Sequence, residues 1–344
     1  FILDEEQFNQ ELFQAPLVSS TKNSPVILDF PTPVGDFIPF EMFESKVMPI
    51  KLSKKYPMIR TFSGRGIENP YNRISVTLYH DQIKALVLSS RGRIFIDNLK
   101  NGSQEYRVSF SELDLPFQDV SIYENCGLDD SIIIDDQNEN SRDFPYCVGE
   151  EEPCFQIGNN RVTFRYAGIL TAEANNAYAD GTVAGGLAWI AAMVNQVNLV
   201  WVRELSFRLE LIANSDILIY TDENPTPELF TAYDMYTELP RVLQHLTEVI
   251  GPGGYATSQA DLLWEYGAVF NTGYGGGLAY VPGSTSANLP SYAIHIHEIG
   301  HNLGSSHNCT SEGGWRCSFG GTAMCSRSNS LAGNSGDQYS SHTI

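Results

Sequence analysis

The sequence predicts a two-part protein of the α+β/α/β class, in which a β-rich N-terminal part precedes a mixed sheet with helices packed on it. Three observations carry this prediction. Short alternating apolar segments recur between residues 73 and 97, strand and helix patterns alternate over residues 161–250, and the charge balance changes twice along the chain. The 344 residues are enough for two domains with full-sized cores.

The N-terminal strands are predicted from the alternation of apolar and polar side chains. Three segments show this alternation, namely residues 73–79, 85–89 and 93–97, and a turn at Gly102 follows the last of them. Short strands at this spacing indicate a small β domain.

The C-terminal elements alternate between strand and helix periodicity. A strand over residues 161–166 precedes a long helix over residues 182–204. Two strands follow over residues 206–212 and 217–220, and a second helix spans residues 240–250 before a run of Gly and Pro. The long helix carries one apolar stripe, formed by Leu187, Ile190, Val194, Val197 and Trp201.

Acidic residues are concentrated in the middle of the chain. The formal net charge is −20, and residues 101–160 contribute −12 of it, with 14 acidic and two basic side chains. A segment of this composition is predicted to be a solvated connector between two folded parts. The net charge excludes non-specific binding to nucleic acids and to anionic membranes. The sequence has no uninterrupted run of about 18 apolar residues, so no bilayer-spanning segment is predicted.

The segment that indicates a metal site begins at His297. His297 and His301 are four residues apart, so on a helix both imidazoles project from one face, which suits two ligands of a tetrahedral zinc ion. Glu298 lies beside them, near enough to contact a water on the metal. Gly304 can adopt a positive φ that ends the helix, so that His307 reaches the third ligand position. Three nitrogen ligands leave a fourth position open, which is typical of a catalytic zinc.

Residues 297–307 resemble the zinc-binding motif of the metzincin clan of zinc endopeptidases. Within that clan the sequence is similar to the reprolysin or adamalysin (ADAM-like) family of bacterial type, through residues 181–187 and residues 273–279. The resemblance implies a metzincin-like catalytic domain with a twisted mixed sheet, two long helices, a zinc helix and a methionine-containing turn beneath the metal. Met324, 17 residues after His307, occupies a plausible place for that Met-turn.

Two polar residues beside the motif stand outside it. His295 alternates with His297, and it is predicted to be a packing residue or to support a ligand. Asn308 follows the third histidine, where ADAM-like enzymes usually have Asp, so the sequence departs from the family pattern at this position.

The resemblance also implies the reaction and the substrate. Zinc would lower the pKa of its bound water and polarise the scissile carbonyl of a peptide, while Glu298 serves as general base. The family has an edge strand above the metal, and residues 277–281 are its candidate, with a peptide substrate pairing as an added strand. The alternative interpretation of the glycines in this segment is a flexible loop. The implied substrate-binding residues are Gly277, Leu278, Ala279 and Tyr280.

Cys126 lies in the acidic connector and is followed by Gly127. This pair is similar to the cysteine switch of metzincin zymogens, in which a propeptide thiolate fills the open zinc position and keeps the enzyme latent. The resemblance therefore implies Cys126 as an inhibitory fourth ligand. Two alternatives stay open: a disulfide from Cys126 to Cys147 or Cys154, and Asp129 as a carboxylate that blocks the metal instead.

These observations divide the chain into three parts. Residues 1–125 are predicted to be a β-rich propeptide, residues 126–160 an acidic connector with the cysteine and an activation segment, and residues 161–344 the zinc metalloprotease catalytic domain. The closing helix that the resemblance implies after Met324 is missing, so the gene product is expected to extend beyond Ile344.

Cofactors, partners and location follow as expectations. One catalytic zinc is expected, and a loose calcium site is an open alternative because Asp136, Asn138 and Asn140 follow part of an EF-hand spacing. Six cysteines fit a secreted protein with disulfides, whose signal peptide is expected to have been removed. The expected partners are a peptide or protein substrate and the protein's own propeptide, and a monomer is expected. The competing hypothesis is a catalytically inactive metzincin-like binding module.

Overall fold

The computed structural model describes residues 1–18, 25–80, 82–99, 104–110, 161–250 and 265–304. Within these ranges the protein has two β-sheets, one on each side of the acidic middle of the sequence. A single long helix contacts strands of both sheets. Both parts predicted from the sequence therefore pack against the same helix.

The N-terminal sheet is an antiparallel meander in which seven described strands lie in chain order. Helices α1 (Glu5–Leu12) and α2 (Ile50–Lys55) accompany it. The three segments predicted from alternation are confirmed as β4, β5 and β6, while the other four strands were not predicted. The strands are β1 (Val26–Pro31), β2 (Phe37–Ser45), β3 (Ile59–Gly66), β4 (Arg73–Tyr79), β5 (Gln82–Ser89), β6 (Gly92–Asn98) and β7 (Tyr106–Ser109).

Both faces of this sheet are buried. On β5, Ala85 and Val87 belong to the core between the sheet and its own N-terminal elements, whereas Leu86 and Leu88 belong to the core shared with the C-terminal part. Because successive side chains of a strand point to opposite faces, one strand contributes to two cores. The N-terminal part therefore needs a partner on its second face.

The C-terminal sheet is mixed and has the order β11-β12-β10-β8-β9. All neighbouring strands pair in parallel except β11, which pairs antiparallel with β12 at the edge. The mixed sheet with helices was predicted and is confirmed. Its elements are β8 (Val162–Leu170), α3 (Ala172–Tyr178), α4 (Val183–Glu204), β9 (Phe207–Leu211), α5 (Met235–Ile250), β10 (Glu265–Phe270), β11 (Gly277–Ala279), β12 (Thr285–Asn288) and α6 (Tyr292–Asn302).

Helix α4 begins where the sequence predicted. The Thr182 side chain caps it by accepting a hydrogen bond from the Gly185 N–H at 3.0 Å. The predicted apolar stripe is fully buried, but Trp189 and Met193, which lie off that stripe, are buried as well. Burial extends around the helix because α4 lies between the two sheets.

Helix α4 is long and apolar. Among the described helices, only α4 contains a segment long and apolar enough by composition to cross a membrane, Val183–Val202. In the protein, 83% of the most apolar 18-residue stretch of this segment is buried. This burial is typical of a core helix.

Hydrogen bonds join α4 to the N-terminal sheet. The buried Asn195 amide donates from Nδ2 to the carbonyl oxygens of Phe62 (3.0 Å) and Val76 (3.2 Å), on β3 and β4. Its Oδ1 accepts a hydrogen bond of 2.9 Å from the Ser45 hydroxyl at the end of β2. One side chain therefore satisfies backbone acceptors in two strands of the opposite sheet.

Two predicted elements differ from the structure. Residues 217–220 were predicted to be a strand, but Ser215–Leu218 form a 3-10 turn, in which the Ser215 hydroxyl donates to the Ile212 carbonyl at 2.8 Å. Only Ile219 bridges a strand, at Leu170. The prediction was wrong because the apolar Ile217 is 43% exposed and does not belong to an alternating buried face.

The second predicted helix begins five residues earlier than residue 240. Asp234 starts it, since its Oδ1 accepts a hydrogen bond from the Tyr236 N–H at 3.2 Å and its backbone carbonyl accepts one from the Glu238 N–H at 3.0 Å. Pro240 is thus inside α5 rather than at its first position.

Candidate active site

Helix α6 carries the predicted metal-binding motif and is almost entirely buried. Ile296 and Ile299 pack in the core that contains α4, whereas Ile294 packs in the core that contains α5. Apolar side chains on more than one face therefore hold the helix against its neighbours, and the polar side chains between them are fixed in position.

The two histidines predicted to bind the metal lie side by side on α6. Their Nε2 atoms are 3.0 Å apart, the two rings are nearly perpendicular at 89°, and the exposed fractions are 7% for His297 and 1% for His301. Two imidazoles bound to one tetrahedral zinc at about 2.0–2.1 Å have nitrogens roughly 3.4 Å apart. The arrangement of these two donors therefore fits a shared metal ion.

Glu298 lies directly beneath the edge strand β11. Its side chain is 1% exposed, and a Cβ atom added at Gly277 would lie only 2.6 Å from Glu298 Cγ and 2.7 Å from Cδ. A side chain of any size at position 277 would therefore displace the carboxylate. Glycine is therefore required here for steric reasons. The structure brings Gly277, predicted to bind substrate, into contact with Glu298, predicted to be the general base.

The segment predicted to bind substrate is the terminal strand of the C-terminal sheet in the described part of the chain. Gly277, Leu278 and Ala279 pair with Asn288, Ala287 and Ser286 of β12. The strand is shorter than the predicted residues 277–281, and Tyr280 follows it, half-buried against the α5 core. The segment is therefore a strand at a sheet edge, and its role in binding substrate stays a prediction.

His295 lies on the side of α6 away from the motif. Its Nε2 is 2.8 Å from the hydroxyl of Tyr166 on β8, and its Nδ1 is 3.4 Å from Oδ1 of Asn288 on β12. The ring is also edge-on to Phe270 on β10, with centroids 4.9 Å apart. Burial lowers the pKa of His295 to about 3, so the ring is neutral. The prediction of a packing residue is confirmed.

The C-terminal end of α6 is tied to the edge of the sheet by a residue that sequence reasoning missed. The Asn302 amide donates from Nδ2 to the carbonyls of Tyr280 (3.1 Å) and Thr285 (2.9 Å), on both sides of the turn between β11 and β12. Gly304 then has a φ of +93°, as predicted for the end of the helix. Only its position beside the motif marked Asn302 in the sequence.

Several predicted site residues lie outside the described residues. They are the third histidine, the methionine of the predicted turn and the two candidates for the inhibitory ligand: His307, Met324, Cys126 and Asp129. All six cysteines and the acidic calcium candidate also lie there. Within the described ranges no group of three or more metal-binding side chains converges, so the histidine pair is the part of the centre that can be described.

Comparisons with known proteins identify a family model and a solved structure that resemble this chain. Residues 166–336, just under half of the chain, match the family model of reprolysin-like metallopeptidases of family M12B. The fold is similar to the crystal structure of metalloproteinase-II from Bacteroides fragilis, with a TM-score of 0.50 over 99% of this chain and 94% of that chain. The sequences are 9% identical, so this likeness concerns the fold alone. No curated protein sequence matches the chain.

Together, the family match and the shared fold support a metzincin-like metalloprotease. The family match spans the sheet from β8 onward and includes α6 with its histidines. The fold likeness extends beyond this stretch and covers the N-terminal meander as well.

Proposed function

We propose that this protein is a secreted, zinc-dependent endopeptidase of the reprolysin or adamalysin type, synthesised as a zymogen. One observation carries the proposal: two buried imidazole nitrogens lie 3.0 Å apart on α6, and the adjoining carboxylate lies under the edge strand of the sheet. The match to M12B metallopeptidases, which are zinc-dependent, supports the same metal and reaction.

His297, His301 and His307 are the proposed zinc ligands, and Met324 is the proposed methionine of the turn beneath the metal. The chemistry of the donors favours zinc, since neutral imidazoles suit this borderline-soft cation. A zinc ion held here supplies Lewis acidity to water and to the peptide carbonyl.

Glu298 moves the proton in the proposed reaction. Its carboxylate accepts a proton from the attacking water and delivers it to the nitrogen of the leaving amine, so that it acts first as base and then as acid. It is adjacent to His297 in sequence and is enclosed by Gly277, which excludes bulk water from that side. Because bulk water is excluded on that side, the Glu298 carboxylate keeps its orientation through the reaction.

An extended peptide is the proposed substrate, and β11 is the strand with which it pairs. The backbone groups of an edge strand are available to an added strand, which positions the scissile bond through main-chain hydrogen bonds. Gly277, Leu278, Ala279 and Tyr280 would form this contact. The acidic composition of the chain favours neither nucleic acid nor membrane partners, and the enzyme is proposed to act as a monomer.

The Cys126 thiolate is proposed to block the site before activation. The N-terminal β-rich part is then a propeptide, and cleavage within residues 126–160 removes the block. Asp129 is the competing blocker. Calcium binding by the acidic segment remains a separate expectation, since the described residues carry no part of that site.

The first experiment tests the reaction. The chain is nicked in the connector, and hydrolysis of a generic protein substrate is compared for the wild type, Glu298→Gln and, as a matched control, Glu248→Gln at an exposed site on α5. Glu298→Gln is expected to lower kcat by about 100-fold or more with its zinc content unchanged, whereas the control keeps full activity. If the nicked wild type holds one zinc per chain and cleaves nothing, the inactive binding module is correct instead.

A second experiment tests latency without nicking. Cys126→Ser is expected to release activity in the intact chain, and Asp129→Asn is expected to leave it latent. X-ray absorption at the zinc edge of the intact chain should detect a sulfur ligand at about 2.3 Å. The opposite pattern, with no sulfur and with activity released by Asp129→Asn, assigns the block to the carboxylate.

A further inference from the structure

A fully buried carboxylate lies on α5, outside the metal-binding motif. Glu238 is 0% exposed and accepts hydrogen bonds from three donors. The Tyr233 N–H donates to Oε1 at 2.9 Å, while Nδ2 of Asn271 (3.3 Å) and the hydroxyl of Tyr274 donate to Oε2. Burying a charge without such partners costs several kcal/mol, so this cluster is a built feature. The proposed reaction gives it no task.

Two of those donors belong to the segment that joins β10 to β11. Its beginning is fixed by the Asn271 N–H, which donates to the Asn288 carbonyl at 3.2 Å, and its end by the Leu289 N–H, which donates to the Gly276 carbonyl at 2.8 Å. Burial and the nearby Glu238 carboxylate raise the pKa of Tyr274, so its hydroxyl keeps the proton that it donates. The middle of the segment is thus held by the Glu238 carboxylate.

The same segment also packs against Tyr233, two residues before the start of α5. A Cβ atom added at Gly273 would lie 2.2 Å from Cβ and 2.6 Å from Cδ1 of Tyr233, so only glycine lets the segment lie this close to the Tyr233 side chain. Tyr233 itself has a φ of +53°, a left-handed conformation that non-glycine residues adopt at a cost of about 1 kcal/mol. Its N–H hydrogen bond to Glu238 stabilises this conformation.

Only two residues separate Tyr274 from Gly277, whose backbone rests on Glu298. A shift of the segment by a few tenths of an ångström is therefore transmitted to the strand that covers the carboxylate. Packed segments of this kind move as units because the interior has few voids to absorb a displacement.

We propose that Glu238 and Tyr274 are positioning residues that set the distance of β11 from Glu298, and with it the affinity of the site for an extended peptide. This inference rests on the proposed function, because it assumes that the peptide pairs with β11. It adds residues on α5 and in the β10–β11 segment to those that determine how substrate is held. Neither residue touches the reacting atoms.

The test compares two tyrosines of the same core. Tyr274→Phe removes the hydroxyl that contacts Glu238, and Tyr220→Phe removes one that lies 2.7 Å from Nε2 of His245, away from β11. Both changes delete one buried hydrogen bond and keep the ring. A purely structural role predicts similar losses of thermal stability and no difference in substrate binding.

With the nicked chain, Tyr274→Phe is expected to raise KM for an eight-residue peptide by about five-fold or more, and to change KM for a blocked dipeptide less than two-fold. Tyr220→Phe is expected to leave both values unchanged. A shorter side chain with the same charge, Glu238→Asp, should give the same selective loss as Tyr274→Phe. If Tyr274→Phe affects the two peptides equally, or no more than Tyr220→Phe does, the inference is overturned.

A binding measurement separates this inference from the proposed reaction. In a Glu298→Gln background, which keeps the shape of the carboxylate, calorimetry measures the Kd of the eight-residue peptide with and without Tyr274→Phe. A five-fold weaker Kd, of the order expected for one lost hydrogen bond, supports positioning even if the wild type proves inactive. An unchanged Kd overturns positioning even if the wild type is an active protease.

Discussion

The two sheets of this protein are connected in opposite ways. In the N-terminal sheet each described strand pairs with the strand that precedes it, from β1 to β7. In the C-terminal sheet, β8 pairs with β9 on one side and with β10, nearly a hundred residues later, on the other. Parallel neighbours need such crossovers, because a tight turn can join only antiparallel strands.

This difference determines where chemistry is found. The N-terminal sheet contributes apolar side chains to a core on each of its faces. The crossovers bring α5, α6 and the edge strand β11 together at one end of the C-terminal sheet. The candidate site and the Glu238 cluster both lie there, assembled from segments distant in sequence.

The two sheets nevertheless depend on one helix. The core that surrounds α4 includes Leu86, Leu88 and Phe95 from the N-terminal sheet together with Leu209 and Phe270 from the C-terminal sheet. Because burial of apolar surface is the main source of stability, the comparison predicts that neither part is stable alone.

Deleting residues 1–110 should have the largest effect. It exposes the apolar face of α4, and the loss is expected to exceed a total stability of roughly 5–15 kcal/mol. Circular dichroism and differential scanning calorimetry should show no cooperative unfolding for the truncated chain. A truncated chain that melts cooperatively at the wild-type temperature would show that the helix does not need the N-terminal sheet.

The same burial makes a prediction about the nicked chain. Cleavage within residues 126–160 should leave the two pieces associated, so that they elute together in gel filtration under native conditions. Separation of the pieces without denaturant would contradict the shared core, whereas co-elution with activity would show that latency and attachment are distinct properties.

Asn195→Ala is expected to have the next largest effect, about 3 kcal/mol, because it removes the three hydrogen bonds that join the Asn195 amide to Phe62, Val76 and Ser45 of the N-terminal sheet. Asn198, one turn further along α4, is the matched control. Its amide bonds the backbone of Leu209 on β9 at 2.7 and 3.0 Å, within the C-terminal part.

Asn195→Ala and Asn198→Ala should both unfold at lower urea concentration than the wild type. Only Asn195→Ala should weaken the association of the nicked pieces. Equal dissociation in the two variants would show that the side of α4 on which a hydrogen bond lies has no influence on how the parts are joined.

A smaller effect is expected from the ion pair between Lys55 on α2 and Asp216 in the 3-10 turn. Lys55 is 62% exposed, so solvent screens the pair, and Lys55→Met should cost about 0.5–1 kcal/mol. The Tyr56 hydroxyl, at 3.2 Å, still donates to the buried Asp216 carboxylate. Lys84 pairs with Asp97 inside the N-terminal sheet, so Lys84→Met removes an ion pair that does not join the two parts. Chemical denaturation measures the loss of unfolding free energy in each variant.

The smallest effect is a pH dependence confined to the C-terminal part. Burial lowers the pKa of His245 below its ordinary value of 6.5, so the folded protein holds the ring neutral. The unfolded chain binds a proton first, and the free energy of unfolding should therefore fall as the pH drops below 6.5. The buried His295 contributes a fall of the same sign, so His245→Gln should reduce this dependence and leave the part due to His295. His80→Gln, at an exposed site of the N-terminal sheet, should leave it unchanged.

Sequence periodicity predicted the elements that obey one local rule. Alternation located β4, β5 and β6, and a 3.6-residue apolar period located α4. The same reasoning failed at Ile217, where an apolar run is a turn, and at α5, where the Asp234 cap outweighed the signal of Pro240. Local patterns report which residues are apolar, but burial depends on what packs against them.

The histidine spacing and Glu298 identified the candidate site because a helix fixes the relative direction of residues four apart. The sequence by itself thus determined the donor types, the helix that holds them and the glycine that ends it. Only the tertiary structure decided that Gly277 rests on Glu298, that His295 bonds Tyr166, and that Glu238 holds the approach to β11. These contacts join segments separated by 21 to 129 residues, and no local periodicity reports such distances.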